Sequence, residues 1–196
     1  KNLNKPVLLE GAVLGGCLFI AYLLQTVGLQ YTTAGKNAFL TTIYVVLVPF
    51  LHWMLNRKRP KGRCIGAAFL AVIGIGLLSL KGDLTMNLGD VMTLFCGISF
   101  AFHMVYIDKY TEKHDPVTLT VLQLSVVAVL SWIAAPLLDG RFPEAAFQVD
   151  VIVSMLYLGI LSTMVAFLLQ NVCQKYTSPS TASLVLSLES VFGVVF

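Results

Sequence analysis

IAYLLQTVGLQYTT, residues 20–33, returns as VAFLLQNVCQKYTS, residues 165–178, with no gap needed to align the two. Ala21 falls on Ala166, Leu23 and Leu24 on Leu168 and Leu169, Gln25 on Gln170, Val27 on Val172, and Tyr31-Thr32 on Tyr176-Thr177, all at one offset of 145 residues. Both copies close a long apolar run. The chain therefore carries an internal repeat whose unit is a block of membrane helices.

Composition agrees, because 57% of the residues are hydrophobic and only 12% are charged, against about 25% charged in a soluble domain. Apolar runs free of charge recur along the chain, each near the roughly 20 residues that span about 30 Å of hydrocarbon. They predict seven helices, at residues 11–30, 37–56, 64–80, 90–107, 117–138, 151–174 and 180–196. Short polar connectors separate them, among them RKRPKGR at 57–63 and EKHDP at 112–116. A water-soluble bundle would need polar stripes at helical spacing, and CIGAAFLAVIGIGLLSL, from Cys64, has none.

Positive charge is retained on the cytoplasmic side, so the 57–63 connector is read as cytoplasmic. Alternating sides from there places Lys1, Lys5, Arg57, Lys58, Arg59, Lys61, Arg63, Lys109, Lys113 and Lys175 inside, with Lys36, Lys81 and Arg141 outside. The two repeat copies then enter the membrane from opposite faces, as an odd number of helices per repeat requires. The net charge of +3 is mostly this one juxtamembrane cluster, which topology explains and anionic lipid can contact. It gives no reason to expect a nucleic-acid partner.

Cys17, Cys64, Cys96 and Cys173 lie far apart without CxxC spacing and read as small packing residues. His52, His103 and His114 are scattered too, so the sequence offers no zinc site, no Cys-His nucleophile and no cofactor site. GIG at 74–76 follows no strand; with Gly66, Ala67 and Ala71 it reads as a close-packing surface rather than a phosphate cradle. The opening KNLNKP leads straight into an apolar span, and no cleavable signal peptide is expected.

Three stretches carry a more specific likeness: LQYTTAGKNAFLTTIYVVLVPFL, GDVMTLFCGISFAFHMVYIDKY and YLGILSTMVAFLLQNVCQKYTSPSTASLVLSLESVF. They resemble the two halves of the EamA-like family in the drug/metabolite transporter superfamily. The resemblance implies an all-α integral membrane protein, a polytopic helix bundle of two inverted five-helix repeats, incomplete here. Residues 1–82 would be the last three helices of the first repeat and 83–196 the first four of the second. The chain is accordingly expected to be a fragment, since it begins without Met and stops at Phe196 inside an apolar run. One departure is Glu189-Ser190, where the family often has Glu-Pro; a serine hydroxyl bonding back along its helix would bend it more mildly than proline. Pro49 is the clearest candidate kink.

Polar residues within the hydrocarbon each need a reason, and Glu189 is the costliest. It lies about nine residues into its helix, near the middle of the span at roughly 1.5 Å per residue. Burying its charge would cost about 2.5–3.5 kcal/mol, so it either carries a proton part of the time or faces a watery cavity. It is read as a proton-coupling or substrate-contacting carboxylate, or else as a protonated acid bridging helices. Tyr44, its repeat mate, shares a face with Asn37 and Thr41. The resemblance places these two helices around a central cavity, which makes Asn37, Thr41, Tyr44 and Glu189 the leading site candidates. Without it, Thr41 and Tyr44 would read as interhelical glue.

Gln25 and Gln170 are paired by the repeat, and Thr163, Gln170 and Gln174 share a face; both glutamines fall near helix ends, which favours interhelical hydrogen bonding over a site role. Ser99, His103 and Tyr106 lie on one face, where His103 has a side chain that titrates near neutral pH but also sits close enough to the helix end to snorkel. Asp90 is read as a helix N-cap, and His52 carries no functional reading. The expected function is a secondary transporter of small metabolites or amino-acid-like compounds, working by alternating access in the cell membrane, the inner membrane in a bacterium. The resemblance favours export, protons are a candidate coupling ion, and a homodimer stays open. An integral-membrane enzyme acting on lipid and a noncatalytic membrane subunit are the alternatives; the first needs a polar cluster at the membrane surface, and the residues around His114 and Asp115 lack a partner set.

Overall fold

The computed structural model describes residues 4–57, 59–60, 62–79, 86–139 and 147–195. Within them the chain is helical and contains no strand. The helices are α1 (Lys5–Leu29), α2 (Ala34–Thr41), α3 (Tyr44–Asn56), α4 (Gly62–Ser79), α5 (Leu88–Thr111), α6 (Pro116–Asp139) and α7 (Val149–Leu156), then a π-helical segment (Tyr157–Val165), α8 (Ala166–Gln174), α9 (Pro179–Leu186) and α10 (Leu188–Val195). Five continuous or nearly continuous runs are long and apolar enough to cross a membrane: Lys5–Leu29, Ala34–Asn56, Leu88–Thr111, Pro116–Leu138 and Val149–Gln174. The other two expected spans are present as helix but differ. The apolar part of α4 is shorter, and 179–195 is interrupted at Ser187. Leu80, the 82/83 repeat boundary, and the charges at Lys1, Lys58, Lys61, Lys81 and Arg141 lie outside the described residues.

Helix α1 packs along α5 and α6. Its buried residues Val7, Gly11, Leu14, Leu18, Ala21 and Gly28 recur at spacings of three, four and seven, which lines them along one seam. Gly15 belongs to this seam for a steric reason: a Cβ there would lie 2.7 Å from the Gln123 carbonyl oxygen of α6. Close approach through small residues is how membrane helices associate when apolar burial offers no net gain. The GIG stretch contributes less than expected. Gly76 faces the Phe39 ring of α2, whereas Gly66 and Gly74 have no neighbour within 4 Å of where a Cβ would be.

A core of Tyr44, Val45, Val48, Ala68, Ala101, Met104 and Val105 joins α3, α4 and α5, with Ala182, Leu184 and Leu186 of α9 packed on it. The outer surface is apolar as well. Leu77 is 82% exposed and Leu137 81%, an arrangement that suits lipid rather than water as the surrounding solvent.

Helix starts obey the repeat. Thr33 caps α2, accepting from the Lys36 N–H, and Ser178, at the 145-residue offset, caps α9, accepting from the Thr181 N–H. The interruptions obey it too. Between α2 and α3 the Val45 N–H bonds to the Thr42 carbonyl at 2.9 Å, and between α9 and α10 the Ser190 N–H bonds to the Ser187 carbonyl at 3.2 Å. Each is a tighter, 3₁₀-type step, at matching positions of the two copies. The helix runs on through Pro49, so the discontinuity expected there lies earlier, at Thr42 and Ile43. Gly97 of α5 makes room for it, because a Cβ at that position would lie 2.8 Å from the Thr41 carbonyl oxygen.

Candidate functional site

The two interrupted helices cross at their breaks. Helix α3 packs on α9 while α2 packs on α10, so the first half of one runs beside the second half of the other and the pair is antiparallel. At the crossing the Thr42 and Ser190 hydroxyls lie 2.8 Å apart. The Thr42 hydroxyl donates to the Ala38 carbonyl at 2.7 Å, and Ser190 also reaches that carbonyl, at 3.3 Å. Ser190 therefore bonds across to the other copy rather than back along its own helix, contrary to expectation. The back-bonding serine is Ser187, which donates to the Leu184 carbonyl at 2.7 Å.

Four of the candidate residues gather on one side of this crossing. The Gln25 amide of α1 donates to Asn37 Oδ1 of α2 at 3.3 Å, and Asn37 Nδ2 donates to Thr93 Oγ1 of α5 at 2.9 Å. Thr41 donates to the Asn37 carbonyl at 2.9 Å and also pairs with the Cys96 thiol. Gln25 thus does act as an interhelical hydrogen bonder. Tyr44, one turn further along, is buried in the core.

Glu189 sits in the first turn of α10, where the helix N-terminus favours a carboxylate. Its side chain is exposed, yet it lies within electrostatic reach of the Tyr44 hydroxyl and of Tyr22 on α1, whose hydroxyl pairs with Thr163 of the π segment. Tyr22 meets the Phe100 and Phe167 rings edge-on, with centroids 6.2 and 6.1 Å away. Glu189, Tyr44, Tyr22 and Thr163 make a carboxylate-and-phenol group drawn from α10, α3, α1 and the π segment. Tyr22 and Thr93 had no place among the sequence candidates. Thr93 could have been found by the rule that found Asn37, a polar residue in an apolar span.

His103 and Gln170 stand apart from this group. His103 is fully buried, with Nε2 2.9 Å from Gln123 Oε1 of α6 and its ring edge-on to Phe167. It does not snorkel; the face it shares with the helix end is turned into the bundle. Ser99 and Tyr106 share that face of the continuous helix α5 but make other contacts: Ser99 donates to the Cys17 carbonyl at 2.7 Å and Tyr106 stacks on Tyr110. Gln170 is half-buried on α8, and its neighbour Gln174 is the deep one, donating to the Met104 carbonyl at 2.6 Å.

Asp90 is more than a cap. Asn87 is the N-cap of α5, and Asp90 completes a capping box with it. Asp90 also accepts from Thr32 at 2.6 Å and pairs with Lys36 Nζ at 2.6 Å, tying the α1–α2 turn to the start of α5. His52 lies 3.3 Å from Asp108, and His114 lies 2.8 Å from Glu10. Cys96 is buried and Cys17 and Cys64 are half-buried, but Cys173 is exposed and is not a packing residue. Among the described residues no group of three or more His, Cys, Asp or Glu side chains could hold a metal ion. A polar cavity of about 500 Å³ opens at the α5–α6 turn, lined by Asn4, Glu112, Lys113, His114, Asp115 and Lys175 among others. None of the candidate residues of the crossing lines it.

The EamA-like transporter family matches residues 4–80 and 87–196. The chain belongs to that family. It is 35% identical over 189 residues to an uncharacterized transporter of Archaeoglobus fulgidus, covering 95% of this chain and 59% of that protein. A second A. fulgidus uncharacterized transporter is 25% identical, with 90% of this chain and 62% of that protein covered. The Bacillus subtilis uncharacterized transporter YvbV is 27% identical, with 79% and 50% covered. The chain thus spans about three fifths of the length of the A. fulgidus relatives. A protein of known crystal structure superposes with a TM-score of 0.79 at 15% identity, over 98% of this chain and 66% of that one, a likeness of fold. The protein is a multi-pass membrane protein of a transporter family.

Proposed function

We propose that the protein is a secondary transporter that exports small metabolites or amino-acid-like compounds by alternating access between two inverted five-helix repeats, divided at residues 82 and 83. The observation that carries this reading is the antiparallel crossing of two helices interrupted at matching positions. Interrupted helices are tolerated at membrane depth where they line a cavity or are buried in protein, and paired ones in the two halves point to the transport site. Asn37, Thr41, Tyr44 and Glu189 are the proposed substrate contacts, with Gln25 and Gln170 as paired supports and His103 behind them. Glu189 is the proposed carrier of a coupling proton, because among the described residues of the two interrupted helices it is the carboxylate, next to Ser190.

The test is flux into and out of vesicles containing the full-length protein, across a panel of amino-acid-like compounds, with and without a pH gradient. Accumulation of one compound class that a pH gradient accelerates is the expected result. Equal flux with protein-free vesicles for every compound would contradict it.

A further inference from the structure

At one end of the bundle lies a cavity that the transport reading does not use. Its volume is about 500 Å³, in the range of pockets that hold a whole small molecule. Three parts of the chain converge on it: the start of α1 at Asn4 and Val7, the α5–α6 turn with Thr118, and Lys175 from the α8–α9 turn.

Most of the charged groups around it are already engaged. Asp115 caps α6, accepting from the Thr118 N–H at 3.2 Å and from its hydroxyl at 3.0 Å. His114 lies 2.8 Å from Glu10, and Glu112 is not free either. Lys113 and Lys175, in contrast, make no ion pair among the described residues. Two ammonium groups that line one cavity oppose each other until an anion lies between them. The start of α1 adds to the same demand, because Asn4 makes no side-chain cap bond and leaves the first N–H groups of that helix without a side-chain acceptor. Such helix ends suit a phosphate. Next to Val7 and Thr118, Leu8, Leu9, Val117 and Val121 are exposed on α1 and α6, so apolar surface begins where the charged lining ends. A lipid phosphate whose acyl chains run along that surface matches both parts. On the charge-based orientation this end faces the cytoplasm, where the leaflet carries anionic lipid.

We propose that the cavity is a phosphate site filled by the headgroup of an anionic phospholipid, which ties the α8–α9 turn to the α5–α6 turn and to the start of α1.

Native mass spectrometry of the full-length protein in neutral detergent, titrated with phosphatidylglycerol, phosphatidylcholine or inorganic phosphate, tests this. One phosphatidylglycerol should be retained in preference to phosphatidylcholine. Both lysines are exposed, so Lys113→Gln with Lys175→Gln should fold normally and bind phosphatidylglycerol about 30-fold more weakly. Lys113→Arg with Lys175→Arg should keep the affinity. Arg59→Gln with Arg63→Gln removes the same charge from the 57–63 connector and should change it little. An equal loss in that control would reduce the effect to net charge and overturn the proposal, as would a Lys113→Gln, Lys175→Gln variant that binds as before. Inorganic phosphate that binds with the same lysine dependence, while phosphatidylglycerol does not, would assign the cavity to a free anion and overturn the lipid reading.

Discussion

The hydroxyls of Thr42 and Ser190 meet at 2.8 Å where two interrupted helices cross, a direct side-chain bond between the halves of the chain, beside the longer contact of Ser190 with the Ala38 carbonyl. In bilayers such bonds are worth about 0.6 kcal/mol on average and at most about 1.7 kcal/mol. A double-mutant cycle of Thr42→Val and Ser190→Ala, read by reversible unfolding in mixed micelles, should give a coupling in that range. Strict additivity of the two would mean that the hydroxyls do not interact in the folded protein.

The Lys36–Asp90 pair is a different case, since the Asp90 side chain is fully buried and that of Lys36 is half-buried. Removing one partner of such a pair leaves an uncompensated charge, at a cost of about 3–5 kcal/mol. Lys36→Met should destabilise the fold by about that amount, and Lys36→Met with Asp90→Asn by less. A double variant no more stable than Lys36→Met would indicate that the aspartate's value lies in its helix cap and its bond from Thr32.

Glu189→Gln keeps the shape of the side chain and removes its ability to take up and release a proton. The exposed position predicts normal expression and folding. If Glu189 carries the coupling proton, the variant should lose acceleration of flux by a pH gradient while still exchanging substrate at zero gradient. Gradient-driven flux equal to that of the unaltered protein would remove Glu189 from the coupling mechanism.

Orientation is testable on exposed residues at opposite ends of the bundle. In a cysteine-free background, a cysteine at Lys113 should be shielded from a membrane-impermeant thiol reagent in intact cells and one at Tyr31 should react. The reverse pattern would invert the charge-based topology.

The spans and the repeat were legible because lipid imposes a length and a composition that few other environments do. The repeat also put Thr33 and Ser178 at equivalent positions, although that both cap helices is seen only in the structure. The interruption at Thr42 was not legible: a 3₁₀ step needs no special residue, and proline drew attention to Pro49 instead. Nor was the depth of His103, Gln123 and Asn171. In a soluble helix the polar face points outward, but here the lipid-facing and core-facing sides are both apolar, so sequence could not say which way His103 turned. Counting put Glu189 about nine residues into one helix; that it opens a new helix after the interruption at Ser187 was not legible.

The hydroxyl bond at the crossing has no counterpart. Its repeat-related position would pair Ser187 with Val45, and valine has nothing to offer. A joint whose two halves match in backbone geometry would, if left to symmetry, rest equally well tilted either way. Under the alternating access proposed above, a latch on one side only, worth about 0.6 kcal/mol, would favour one tilt by about threefold. A bound solute would override a preference of that size, and the unloaded protein would have a default side on which to stand open.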